Sequence, residues 1–344
     1  MTTAEHTRRP TPEIVVVTGG SAGLGRAIVR RFAAAGAHVA IIARGQARFD
    51  DAKREVEAAG GRALAISLDV ADANGVERAT EQIERELGPI DVWVNNAMAS
   101  VFSPVREMQA DEYRRVTEVT YLGYVYGTLA ALKHMLPRDR GVIVQVGSAL
   151  AHRSIPLQSA YCGAKHAIMG FTSSLRSELI HEQSNVRATV VQMPGLNTTQ
   201  FDWVKSRLPG LPQPVGTIFQ PEVGADAVYY AAHHDVGHEL LVGGPTAEAV
   251  LGNRVAPTML DRYMASHAYD QQHTDGPHVE RPDNLWEPVP GNQAAHGRFD
   301  DQAKSHSLEL ELVTTSRGML AVAAAGMTGL VLGALSTHGA GESR

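Results

Sequence analysis

The chain runs to 344 residues, of which 44% are hydrophobic and 20% charged, with a formal net charge of -6. That hydrophobic share excludes a disordered chain, and the acidic balance excludes a global electrostatic footprint for nucleic acid. Cys162 is the single cysteine, so no internal disulfide is available and a reducing, cytoplasmic compartment is expected.

Residues 1–12 read as a polar tail, and Met1 to Glu13 lacks the apolar core of a secretory signal. From there to residue 244 one rhythm repeats: an apolar β-rich run, a turn, then a helical pattern. Strands are predicted at Ile14–Thr18, His38–Ala43, Ala63–Ser67, Ile90–Val94, Val142–Val146, Ala188–Gln192 and Glu239–Val242. Helices are predicted at Leu24–Ala35, Arg48–Ala59, Val76–Leu87, Asp111–Met135, Ser159–His181 and Glu222–His233. Near-continuous apolar strands alternating with helices imply an α/β fold, a doubly wound parallel sheet in a single domain over 13–244. Its ligand site belongs at the carboxyl ends of the strands.

Residues 194–221 hold five prolines among Phe201, Trp203, Leu208, Leu211 and Phe219. A connection that long is usually functional, and a substrate wall is favoured over lid core. Residues 245–317 form a polar extension laid over the domain. Its histidines match no zinc spacing, so no metal site is expected. Residues 318–337 carry no charge and are about as long as a bilayer span needs, with Gly329 and Gly333 at helix-packing spacing. A C-terminal transmembrane helix is favoured there over a buried Ala/Gly-rich helix.

Thr18-Gly19-Gly20-Ser21-Ala22-Gly23-Leu24-Gly25 joins the first strand to the first helix. Glycines there permit a tight turn and close backbone approach to a pyrophosphate, which the helix N-terminus attracts. An acid at the end of the second strand would accept bonds from a ribose 2′-hydroxyl, but this strand ends in Arg44. A guanidinium fork there suits a 2′-phosphate, so NADP(H) is favoured over NAD(H), the alternative being a solvated loop charge. Ser21 offers a second group to that phosphate. Asp69-Val70 follows the third strand, where a carboxylate can meet an adenine amino group. Asn95-Asn96-Ala97 ends the fourth strand, with strand tying and cofactor contact both open.

Tyr161 and Lys165 share one helix face at i, i+4. A phenol titrates near 10, and an ammonium about 4 to 5 Å away is expected to bring it into working range as proton donor and acceptor. Ser148, just past the fifth strand, can polarise a carbonyl oxygen beside it. Cys162 is read as a small buried apolar residue.

With these residues the chain resembles the short-chain dehydrogenase/reductase family, in the branch with Thr-Gly-x-x-x-Gly-x-Gly and Tyr-x-x-x-Lys. The resemblance spans about residues 13 to 244 and rests on Thr18, Gly19, Gly23, Gly25, Asp69, Asn95 to Ala97, Ser148, Tyr161, Lys165, Pro194 and Gly195. It implies a Rossmann fold and hydride transfer between a nicotinamide and a carbonyl or secondary alcohol. Tyr161 would be the acid/base and Ser148 would hold the substrate oxygen. Lys165 would bind the nicotinamide ribose and depress the Tyr161 pKa. Pro194 and Gly195 would border the nicotinamide, and Thr198 would contact its carboxamide. It also implies a homo-oligomer. Met98 stands where the family usually has Gly, and Thr120 where it usually has the Asn credited with holding a relay water. An apolar carbonyl substrate is expected. The rival is a catalytically silent NADP(H)-binding redox sensor or membrane scaffold, suggested by Thr120 and the extension.

Overall fold

The computed structural model describes residues 12–45, 49–290 and 294–314. In chain order the strands are Ile14–Thr18 (β1), His38–Ala43 (β2), Ala63–Ser67 (β3), Val92–Asn95 (β4), Val101–Phe102 (β5), Val142–Val146 (β6), Arg187–Gln192 (β7), Gly195–Leu196 (β8), Lys205–Ser206 (β9), Ile218–Phe219 (β10) and Glu239–Leu241 (β11). Seven of them form one sheet in the order β11-β7-β6-β4-β1-β2-β3. Every pairing in it is parallel. The doubly wound α/β expectation therefore holds. The order reverses between β1 and β4, and a crevice opens there at the strands' carboxyl ends.

The helices are Gly23–Ala34 (α1), Phe49–Ala58 (α2), Ala73–Glu86 (α3), Ala110–Thr117 (α4), Gly123–Met135 (α5), Ser159–His181 (α6), Gln200–Trp203 (α7), Pro221–His233 (α8), Gly244–Val255 (α9), Pro257–Tyr263 (α10) and Leu308–Thr314 (α11). Strand residues alternate between the two faces of the sheet. Val15 and Val17 of β1 therefore pack with Ile28 and Phe32 of α1 and Val228 of α8. Ile14 and Val16 pack on the other face with Ile83 of α3 and Met135 of α5.

The long helix predicted from Asp111 to Met135 is interrupted by a π-helical turn, Glu118–Leu122, between α4 and α5. Thr120 explains the site of the break. Its hydroxyl accepts from the Ala99 amide at 2.9 Å and donates to the Ala99 carbonyl at 2.8 Å, which ties the widened turn to the strand end. Just beyond it, α5 comes down onto the sheet. A Cβ at Gly123 would stand 2.7 Å from Val70 Cγ2, and one at Gly127 2.4 Å from Asn95 Oδ1.

The extension is more structured than its composition suggests. It forms α9 and α10, and then a strap crosses the domain. Leu285, Ala295 and Phe299 of the strap are buried, and Phe299 meets Phe201 edge-on at 5.6 Å. The membrane helix expected at 318–337 lies outside the described residues. Among the described residues no helix is long and apolar enough to cross a membrane.

Candidate active site

The site begins where β1 ends. Gly19 has φ +67, and a Cβ on it would stand 2.9 Å from the Ala97 Cα. A Cβ on Gly25 would fall 2.1 Å from the Gly19 carbonyl. Only glycine allows this turn to close so tightly. Helix α1 starts at Gly23 with no side-chain cap and no acid in its first turn. Its positive end lies at the crevice, where the Gly23 amide is taken by the Ala294 carbonyl at 3.0 Å. These features fit a pyrophosphate.

A cleft of about 460 Å³ runs from this turn to the helix that carries Tyr161. Gly19, Ser21, Gly23, Leu24, Gly25, Arg44, Asp69, Val70, Ala97, Pro194, Gly195 and Thr198 line it, as do Ser148, Tyr161 and Lys165. Met98, at the family's usual glycine, lines it too.

Two expected cofactor residues do not line the cleft. The Thr18 hydroxyl accepts from the Asn96 and Ala97 amides at 2.9 and 3.1 Å and so fastens β1 to the end of β4. Asn95 is fully buried. Its side chain takes a bond from Trp93 Nε1 at 2.8 Å and gives bonds to Thr128 and Gln145 at 3.1 and 2.9 Å. In this structure the side chains of both act as ties within the fold.

Arg44 lines the cleft but does not present an open fork. Nη1 donates to the Trp286 carbonyl at 2.7 Å and Nη2 to the Asn284 carbonyl at 2.5 Å. Asp69 is likewise engaged. It pairs with Arg115 and accepts from the Ala71 amide at 3.0 Å. Burial, the largest single influence, would raise its pKa, but the hydrogen bonds from Arg115 and the Ala71 amide together with the charges of Arg115 and Arg44 hold it below the usual carboxylate range. The strap reaches the glycine turn as well, where Gly23 donates to the Ala294 carbonyl at 3.0 Å. These strap contacts, with Pro288, Met264 and Ala249 along the wall, are absent from the sequence-based expectation. Leu285 and Trp286, apolar residues within a polar proline-rich run, were the available signal.

At the other end Ser148 follows β6. Its amide donates to Gln192 Oε1 at 2.8 Å, and its hydroxyl accepts from the Leu150 amide at 3.2 Å and acts to lower the Tyr161 pKa. Lys165 is 1% exposed. Its Nζ donates to the Val146 carbonyl at 2.6 Å and to the Tyr124 oxygen at 3.0 Å. The Tyr161 ring centre lies 5.5 Å from that nitrogen. The expected depression of the phenol pKa does not hold in this state. Burial raises Tyr161 well above 10, more than the Ser148 bond lowers it. Burial also lowers Lys165 to about 7, which removes much of the cation that was to act on the phenol. Phe102, Leu150, Ile155, Phe201, Trp203 and Val204 form the wall nearby. Of the residues expected there, Leu208 and Phe219 are buried core instead.

The sheet and cleft define a nucleotide-binding oxidoreductase of the doubly wound class. The chain belongs to the short-chain dehydrogenase/reductase family, whose short chain dehydrogenase model matches residues 13–207. It is 31% identical over 267 residues to the uncharacterized oxidoreductase YxnA of Bacillus subtilis, covering 77% of this chain and 75% of that protein. It is 35% identical over 192 residues to 3-dehydrosphinganine reductase of Danio rerio, covering 54% of this chain and 57% of that one. Among solved structures, a Streptomyces avermitilis short-chain dehydrogenase superposes with a TM-score of 0.63 at 26% identity, covering 76% of this chain and 99% of that one. An alcohol dehydrogenase of Thermococcus sibiricus complexed with 5-hydroxy-NADP gives 0.58 at 26% identity, covering 67% and 95%.

Proposed function

We propose that this chain transfers a hydride between NADP(H) and a carbonyl or secondary alcohol of an apolar substrate, with Tyr161 as acid and base. The observation that carries this reading is the convergence of Ser148, Tyr161 and Lys165 in one cleft whose far end is the glycine turn. The nicotinamide, when bound, supplies or accepts the hydride. The glycine turn and the α1 N-terminus would hold its pyrophosphate, Ser21 and Arg44 the adenosine side, and Pro194, Gly195 and Thr198 the nicotinamide side. The absence of an acid at the end of β2 favours NADP(H).

In the reducing direction Ser148 donates a hydrogen bond to the carbonyl oxygen, and Tyr161 delivers its phenolic proton to that oxygen. In the oxidising direction the phenolate takes the alcohol proton. The raised Tyr161 favours the first, because the phenol keeps its proton at neutral pH. The wall of Phe102, Phe201, Trp203 and Val204 excludes water and suits an apolar chain. The test is NADPH oxidation over a panel of apolar ketones. Wild type is expected to turn over and Tyr161→Phe to lose at least about a hundredfold. Arg44→Asp is expected to weaken NADPH more than NADH. Dinucleotide binding without turnover on any ketone would instead support a silent binding protein.

A further inference from the structure

Lys165 lies at the floor of the cleft with a partner from another helix. Tyr124 belongs to α5, 1% exposed, and its hydroxyl donates to the Val146 carbonyl at 3.1 Å. The same phenol oxygen accepts from Lys165 Nζ at 3.0 Å, and Nζ also donates to the Val146 carbonyl at 2.6 Å. Three groups therefore close a ring of hydrogen bonds beneath Tyr161. The ammonium also sits 4.7 Å from the centre of the Tyr124 ring, within reach of its π face.

Tyr124 reaches this position because of the π-helical turn just before it and because Gly123 lets α5 descend onto Val70. Thr120 cannot supply the amine's partner, since its hydroxyl is spent on both polar groups of Ala99. The titratable groups facing Lys165 are Tyr124 from α5 and Tyr161 from α6, with Cys162 beside Tyr161. β6 supplies the Val146 carbonyl, and Ser148 follows just past its end.

We infer that Tyr124 is a positioning residue: its phenol oxygen and the Val146 carbonyl form a two-oxygen cradle that holds the charged amine of Lys165 at the cleft floor. The cradle fixes where the cation stands before any ligand arrives, and it supports the charged form by accepting its hydrogen bonds. The assignment rests on the reading of Lys165 as the cation of the dinucleotide site. The first part of its test, the titration of Lys165, does not need a dinucleotide.

Lysine labelled with carbon-13 at Cε reports the titration of Lys165 in the ligand-free protein, and Lys165→Met identifies its signal. Tyr124→Phe removes one oxygen and keeps the ring. Its Lys165 midpoint is expected about one pH unit below wild type, a tenfold loss of preference for the charged form. Should Tyr124→Phe fail to fold, Tyr124→Leu gives a second oxygen-free side chain for the same measurement. A wild-type midpoint in a folded oxygen-free variant overturns the assignment. NADPH affinity is then measured at about pH 8, where Tyr124→Phe is expected to bind about tenfold more weakly than wild type. In the Lys165→Met background the same change is expected to have no further effect, and an equal loss there overturns the assignment. Wild type that titrates as expected yet binds no NADP(H) leaves the cradle standing and removes only the functional reading beneath it.

Discussion

Tyr161 and Lys165 are moved by the same cause in opposite senses. Burial disfavours a phenolate and an ammonium alike, so it raises the first and lowers the second to about 7. The sign of the pH dependence follows. The Lys165 cation is present below about pH 7 and lost above it, while the Tyr161 phenol stays protonated throughout the neutral range. The kcat/KM for ketone reduction is therefore expected to hold level below about pH 7 and to fall above it, and alcohol oxidation to climb with pH. Steady-state rates between about pH 5 and about 9 check this, and reduction that rises through neutrality would contradict it. Ser148, Tyr161 and Lys165 were legible in the sequence because their spacing follows from one strand end and one helix face. The sign of the Tyr161 shift was not. It depends on how completely the fold buries the phenol and the amine, which no local pattern in the sequence shows.

The elements were legible in proportion to how local their causes are. β1, β2, β3, β6 and α6 match their expected bounds, because unbroken apolar runs and a long helical pattern need no tertiary help. The split between α4 and α5 was hidden, since the bond from Thr120 that accompanies it reaches Ala99, a residue of the connection after β4. α9 and α10 were hidden by the prolines, which proved to be N-terminal helix starts at Pro245 and Pro257. Joints between elements carry their own consequence. Arg26 of α1 is nearly buried, and its Nη2 lies 2.7 Å from Glu55 Oε1 of α2, which also receives Arg30. Burial alone would raise the Glu55 pKa, but the bonds from Arg30 and Arg26 prevail and hold it at about 2. Its contribution is therefore present above the ordinary carboxylate pKa and lost as pH falls towards about 2. Glu55→Gln is expected to cost about 1 to 2 kcal/mol at neutral pH, read by urea denaturation, with the difference from wild type shrinking in acid.

For the whole molecule, the strap matters most. Leu285 is fully buried with Val70 and Val119, so the strap is anchored in the core beside the cleft. Its backbone carbonyls hold Arg44 and Arg115, and Ala294 caps Gly23. On the proposed function, the dinucleotide's adenosine side would share this wall with the strap. Leu285→Ala removes core packing worth roughly 2 to 5 kcal/mol where the strap is anchored. On the proposed function, NADPH loading that requires the strap to lift would level off at high NADPH concentration in stopped-flow measurements of the wild type. Leu285→Ala is expected to raise that ceiling, and a strictly linear dependence in wild type would refute the scheme. Exchange of reduced for oxidised dinucleotide would then be a first-order event of the polypeptide. How long each molecule resides between turnovers would be set by one buried leucine of the strap.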